Sequence, residues 1–271
     1  MKLSNSIRKF VSFNCSMFFI GYMQYTCVTA TDIFPLDLMY IYFVFIFRNF
    51  SSIYAINESI KHKNRIHENN ELIQKYPNEF NVNVLTSTSI EAVTYYYIKT
   101  QMASSFIDFS LYNLWYFIIL SFYFEVVFDF FHYWLHRLLH ENRFLYRHIH
   151  KKHHKHAHPI AILTYYQEPV DLLLSNSIPT ILTIMFSPSM SLFEFNIILV
   201  CKTYVEISGH AGRRLYPSHS FCQFVWLPRM FGIQLYTEDH DNHHSINNCN
   251  YGKRFSLWDR VFGTYYDDND L

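Results

Sequence analysis

The chain has 271 residues, half of them hydrophobic and 20% aromatic, with 22 basic and 22 acidic residues and a formal net charge of +0. That length suits one large domain, and the balanced charge exerts no general pull on nucleic acid or acidic partners, which argues against nucleic-acid binding. Its five cysteines (Cys15, Cys27, Cys201, Cys222, Cys249) are odd in number, widely spaced and without a CxxC pair, which excludes a disulfide framework and a thiolate metal site.

Lys2, Arg8 and Lys9 precede an apolar stretch that Gln24 and Tyr25 interrupt, with no clean small-residue cleavage site after it. The pattern reads as an uncleaved membrane helix rather than a signal peptide. Residues 10–30 and 34–56 are each long enough to cross a bilayer, and Thr31, Asp32 and Pro35 mark a turn between them, so a helical hairpin is predicted. Lys61, Lys63 and Arg65 in the polar stretch that follows put both hairpin ends on the cytosolic side. Residues 82–104 are weakly apolar and 106–131 strongly so; basic residues Arg143, Arg147, Lys151, Lys152 and Lys155 then require an even number of crossings, which pairs these two segments as a second hairpin. Residues 170–204 are split at Ser187–Met190 and contain Pro179, so a re-entrant or tilted hairpin is expected there. From residue 205 the chain is polar and is expected to form a cytosolic cap.

Fourteen of the sixteen histidines follow residue 131. Glu125, Asp129, His132, His136 and His140 are spaced by 4, 3, 4 and 4 residues and project from one helical face. A polar stripe on a Phe-rich membrane helix is costly unless paired or ligated. His150, His153 and His154 form an HxxHH pattern whose members share a helical face, and His240, His243 and His244 repeat it about ninety residues later. Glu206 and His210 stand four apart between the two. His148, His156 and His158 read as cationic surface or as partners of the ligands rather than ligands.

Neutral imidazoles suit iron, copper or zinc, and the shortage of clustered carboxylates argues against magnesium or calcium. So many nitrogens exceed the needs of one ion; two ions sharing them leave open positions at which a redox-active pair can bind oxygen. Asp129, Glu125 and Glu206 are the expected acceptors for the far N–H of ligand histidines, with Glu206 alternatively a direct ligand. Spacing alone leaves His132 as good a candidate ligand as His140.

With these boxes in place, HRLLH (136–140), HKKHH (150–154) and HDNHH (240–244), together with DFFHYWLHRLLH, SGHAG and the closing NYGKRFSLWDRVFGTYY, the chain resembles the fatty acid hydroxylase and sterol desaturase superfamily over roughly residues 115–266. The resemblance implies an all-α integral membrane bundle of about four spans plus a re-entrant hairpin, with a cytosolic helical cap over a non-haem di-iron site, usually in the endoplasmic reticulum. Residues 1–105 would supply membrane helices and a cytosolic connector, and 106–271 the catalytic domain. The ligand set carried over by the resemblance is His136, His140, His150, His153, His154, His210, His240, His243 and His244, with His132 beside it. Some fatty acyl hydroxylases have histidine at the position of Glu206, so a tenth ligand stays open.

The resemblance further implies two iron ions, replaceable by zinc in recombinant protein, that use O2 to hydroxylate or desaturate a lipid C–H bond. The chain has no GxGxxG fingerprint, so NAD(P)H electrons would arrive through a separate reductase and a b-type cytochrome. HYWLHRLLH and SGHAG favour a sterol substrate of the carbon-four methylsterol oxidase kind, with fatty acyl or sphingolipid hydroxylation as the alternative. A His-rich metal transporter is the alternative of another class; it predicts histidines lining a path through several spans.

Overall fold

The computed structural model describes residues 2–67, 79–102, 111–215 and 220–266. Among these residues there is no strand; extended segments meet only at isolated bridges, Arg65 with Arg213 and Gln234 with Phe255. Four long helices come first: α1 (Lys2–Val28), α2 (Leu36–Ile60), α3 (Phe80–Gln101) and α4 (Leu111–Glu141). They are followed by α5 (Pro169–Phe186) and α6 (Leu192–Gly209), and then by the shorter α7 (Thr237–Ile246) and α8 (Leu257–Val261).

The two predicted N-terminal helices and the turn between them are present, and α3 forms over the weakly apolar stretch. Among the described residues, three helices qualify by length and apolar composition to cross a membrane: α2, residues Asn113–Glu141 of α4, and α5. Of the four expected spans, α1 and α3 fall outside this set because they carry more polar side chains. Much of that polarity is internal. Gln24 of α1 donates to Asn196 of α6 at 2.8 Å, Asn196 donates to Tyr95 of α3 at 2.8 Å, and Arg48 of α2 pairs with Glu91 of α3 at 2.7 Å. Groups removed from water must find such partners, so the ladder ties α1, α2, α3 and α6 in fixed register. Glycine sets the closest approach: a Cβ on Gly21 would lie 2.9 Å from Ile197 Cγ1 and 3.0 Å from its Cα, so α1 crosses α6 at this point.

The split at Ser187–Met190 is observed. Ser191 restarts the chain with a reciprocal capping box, its N–H donating to Glu194 at 2.7 Å and the Glu194 N–H donating back to its hydroxyl at 3.2 Å. On α4, Trp115, Ile119, Tyr123, Trp134 and Leu138 are exposed, whereas Glu125, Asp129, His132 and His136 are buried. The apolar face suits lipid, and the polar stripe faces inward to α5, α6 and the C-terminal segments.

Candidate metal centre

Nine histidines converge in two adjacent groups: His136, His140, His150, His154 and His243 in one, and His153, His210, His240 and His244 in the other, with ligand atoms within each group all within 4.8 Å of one another. These are the nine carried over by the resemblance. Six are buried, and His140, His153 and His154 are half-buried.

The members of each HxxHH box were expected to share one helical face toward metal; in the structure each box divides between the two groups. On α7, His243 goes to the first group while His240 and His244 go to the second. Helical pitch explains this, since positions i and i+4 stand about 40° apart around the axis and i+3 lies about 60° to the other side. The second box divides in the same way, His150 and His154 from His153, but on backbone that is not regular α-helix. Asn142 ends α4 and accepts from Phe144 N–H at 3.0 Å and Leu145 N–H at 3.1 Å, starting a short turn that widens into a π turn at Tyr146–His150 and tightens to a 3₁₀ turn at His153–Lys155.

Ring orientation is fixed from behind. His136 Nδ1 donates to Tyr251 O at 2.8 Å, His210 Nδ1 to Glu206 O at 2.9 Å and His243 Nδ1 to Cys249 O at 2.7 Å, while His150 Nδ1 meets both oxygens of buried Asp171 at 2.9 Å. The left-handed Asn247 (φ 71°) ends α7 and returns the chain so that Cys249 reaches His243. With Nδ1 carrying the proton, each Nε2 presents a lone pair. His136 and His150 bring those lone pairs to 3.1 Å, His150 and His154 stand at 3.0 Å, His240 and His210 at 3.0 Å, and His210 and His153 at 3.4 Å. Further nitrogens, among them Nε2 of His140, His243 and His244, are buried with no hydrogen-bond partner. His136 and His150 both hold their protons on Nδ1, so their facing lone pairs repel unless a cation lies between them, and spacings near 3 Å suit nitrogens bonded to one ion at about 2.0–2.1 Å. The residues present therefore fit a pair of imidazole-ligated metal ions.

Burial, reinforced by the neighbouring imidazoles, pushes His153, His154, His240 and His244 far below the ordinary histidine range and His243 down to about 3. All five are neutral at physiological pH, the form that binds metal.

The expected carboxylate partners behave differently. Asp129 meets no ligand histidine; its carboxylate accepts the backbone N–H groups of Lys253, Arg254 and Phe255 at 2.7, 2.8 and 3.1 Å. Glu125 pairs with Arg254 at 2.8 Å. Glu206 serves His210 through its backbone carbonyl, while its carboxylate is held by Lys202 at 2.8 Å, Arg254 at 3.1 Å and Lys253 at 3.4 Å. Three cations compete for that carboxylate, which is why it stands outside both histidine groups. Asp171, which sequence reasoning missed, is the carboxylate against a ligand ring, and the signal was an ionisable residue at the head of an apolar stretch.

His132 also stands outside both groups. Its Nδ1 donates to Ser175 O at 2.6 Å, a carbonyl without its usual helical donor because residue 179 is proline. It lines a cavity of about 20 Å³, room for about one water, with His136, His153, Tyr165, Glu206 and Lys253. Of the flanking histidines, His148 is exposed and His156 packs on Tyr166, whereas His158 bonds Asp241 at 2.9 Å.

The fatty acid hydroxylase family model matches residues 121–264, just over half of the chain and all nine histidines. The fatty acid hydroxylase vlmA of Lecanicillium sp is 34% identical over 160 residues, covering 56% of this chain and 43% of that protein. Sphinganine C4-monooxygenase 1 of Arabidopsis thaliana is 32% identical over 149 residues, 52% and 51% of the two chains. The C-4 methylsterol oxidase erg25 of Schizosaccharomyces pombe is 30% identical over 140 residues, 50% and 43%. The matched region spans about half the length of these relatives. No solved structure matches the chain significantly.

Proposed function

Because this chain belongs to the fatty acid hydroxylase family, we propose that it is a membrane-bound, O2-dependent oxidoreductase that hydroxylates or desaturates a C–H bond of a lipid. The observation that carries the reading is the set of inward-facing Nε2 atoms standing 3.0–3.4 Å apart, with the opposite nitrogens of His136, His150 and His210 already hydrogen-bonded. His136, His140, His150, His154 and His243 would hold one iron ion, and His153, His210, His240 and His244 the other. When bound, the iron pair supplies the redox chemistry that breaks an unactivated C–H bond, which no side-chain acid or base can do.

The chain's own residues hold and shield. Asp171 and the carbonyls of Glu206, Cys249 and Tyr251 keep the Nδ1 protons outward and the ring planes fixed. The four-ligand group has the smaller donor set, and the water-sized cavity beside it leaves space for a small molecule. Electrons would come from a b-type cytochrome and its NAD(P)H reductase, and the site would face the cytosol from the endoplasmic reticulum membrane. Relatives named for fatty acid, sphinganine and sterol substrates share one trait, a lipid as substrate. The transporter alternative loses support, because only His132, His136 and His140 lie within the three apolar helices, all toward one end of α4.

Lipid profiling of cells lacking the protein, complemented with the intact chain or with His153→Ala, tests the proposal and identifies the substrate class. The intact copy is expected to restore an oxidised sterol or long-chain lipid that the variant does not. Equal restoration by both would sink the catalytic assignment.

A further inference from the structure

A separate ligand cluster forms where three distant segments meet. Beyond α2, Ile66 N–H donates to Gly212 O at 3.1 Å and Arg214 N–H donates to Asn64 O at 2.9 Å, a short antiparallel pairing that brings His67 to α7. His158 follows the second histidine box, and Asp241 comes from α7 between His240 and His243. His67 Nε2 lies 2.8 Å and His158 Nδ1 2.9 Å from Asp241 Oδ2, with the two rings 3.7 Å apart between centroids. All three offer their ligand atoms within 4.8 Å of one another, and none belongs to the nine.

Asp241 supplies the second observation. Its side chain is 3% exposed, and its ion pairs among the described residues are with these two histidines, neither of which carries a fixed charge. Its other oxygen, Oδ1, is buried with no donor. A buried carboxylate without a permanent cation is strongly unfavourable. Two imidazoles beside it leave open how that charge is balanced.

We propose that His67, His158 and Asp241 bind a further divalent ion of the zinc class. Two imidazoles and one carboxylate are ligands that zinc accepts, and three protein ligands leave a fourth position for water. The lone carboxylate and the lack of thiolate disfavour calcium, magnesium and copper(I). His67 and His158 are 44% and 29% exposed, so the fourth position opens to solvent. Ligand atoms around a tetrahedral zinc stand roughly 3.3 Å apart, so both rings need move outward by only about half an ångström. Bound there, the ion ties the segment after α2 to the second and third histidine boxes. The site does not rest on the proposed lipid chemistry.

The test counts metal in the full chain, purified in detergent, stripped with chelator and re-equilibrated with Zn²⁺ before removal of the excess. His67→Gln and His158→Gln, whose amides can still hydrogen-bond Asp241 but bind zinc poorly, are compared with the unaltered chain, with His153→Ala as a parallel variant. The unaltered chain is expected to hold one zinc per chain more than either Gln variant, and Co²⁺ loading to show a visible band that both Gln variants lack and His153→Ala retains. Because the readout is the difference from the Gln variants, it is independent of how many ions the nine histidines hold. Equal zinc content and unchanged Co²⁺ spectra in the Gln variants would overturn the proposal and leave the cluster a hydrogen-bonded clamp. His67 is the more exposed residue and its replacement is expected to fold; a zinc-dependent rise in Tm that His67→Gln shares in full with the unaltered chain would also overturn it.

Discussion

Asp171 illustrates how a single side chain governs a ligand it does not replace. Both its oxygens lie 2.9 Å from His150 Nδ1, so it fixes the proton there and leaves Nε2 as the free lone pair. Asp171→Asn keeps an acceptor but removes the charge, and is expected to weaken iron retention roughly 10–100-fold while leaving the fold intact. Iron content after timed exposure to chelator measures this; retention equal to that of the unaltered chain would remove Asp171 from the role. The spacings brought the three boxes to notice and the family resemblance supplied the set of nine, whereas Asp171 stands alone in sequence and only the packing of α5 against α4 brings it to His150. Carbonyl acceptors such as those of Cys249 and Tyr251 leave no trace in side-chain identity at all. The carboxylates that sequence did flag, Glu125, Asp129 and Glu206, were expected to accept from the histidine rings, but their carboxylates are held instead by Arg254, Lys202, Lys253 and backbone N–H groups.

Among the elements, the loop between α7 and α8 connects membrane helix to metal site. Asp129 takes the N–H groups of residues 253–255, and Asp259 takes those of Tyr251 and Gly252 at 2.8 and 2.7 Å, so two carboxylates stretch the loop that offers Tyr251 O to His136. A Cβ at Gly252 would lie 2.6 Å from Phe255 O and 2.8 Å from Asp259 Oδ2, contacts that cannot be relieved without moving backbone. Gly252→Ala is therefore expected to destabilise the protein by about 1–3 kcal/mol and to lower metal content together with Tm. Unchanged melting in detergent would show that the loop is slack. Element type was legible where periodicity was long, as in α2 and α4. It was not legible in HIHKKHH, where a π turn and a 3₁₀ turn replace the expected helix; helical spacing fits that stretch equally well, and the packing of the histidines decides the backbone.

For the whole molecule, the concentration of neutral imidazoles makes folding sensitive to acid. His153, His154, His240, His243 and His244 have folded pKa values below their ordinary 6.5. Below that pH the unfolded chain binds protons that the folded chain refuses, so stability is fully present above about 6.5 and is lost as pH falls. Each group contributes up to about 1.4 kcal/mol per pH unit in that range. The metal-free chain in detergent is expected to melt at a constant temperature from pH 7 to pH 8 and at steadily lower temperatures below about 6.5; a flat profile down to pH 5 would contradict it. The all-helical class and the positions of the long helices were legible from apolar run length. Hydropathy along the chain undervalues α1 and α3, because their polar residues are matched to one another and to α2 and α6 in space, a complementarity that it does not register.

Each HxxHH box sends its first and last histidines one way and its middle one the other, so neither box belongs to a single ion. Because each box serves both groups, loading is expected to be collective, with occupancy of one group helping to hold the ligands of its neighbour. Half-filled molecules should be scarce in a titration, and a lesion in either box should empty both positions together.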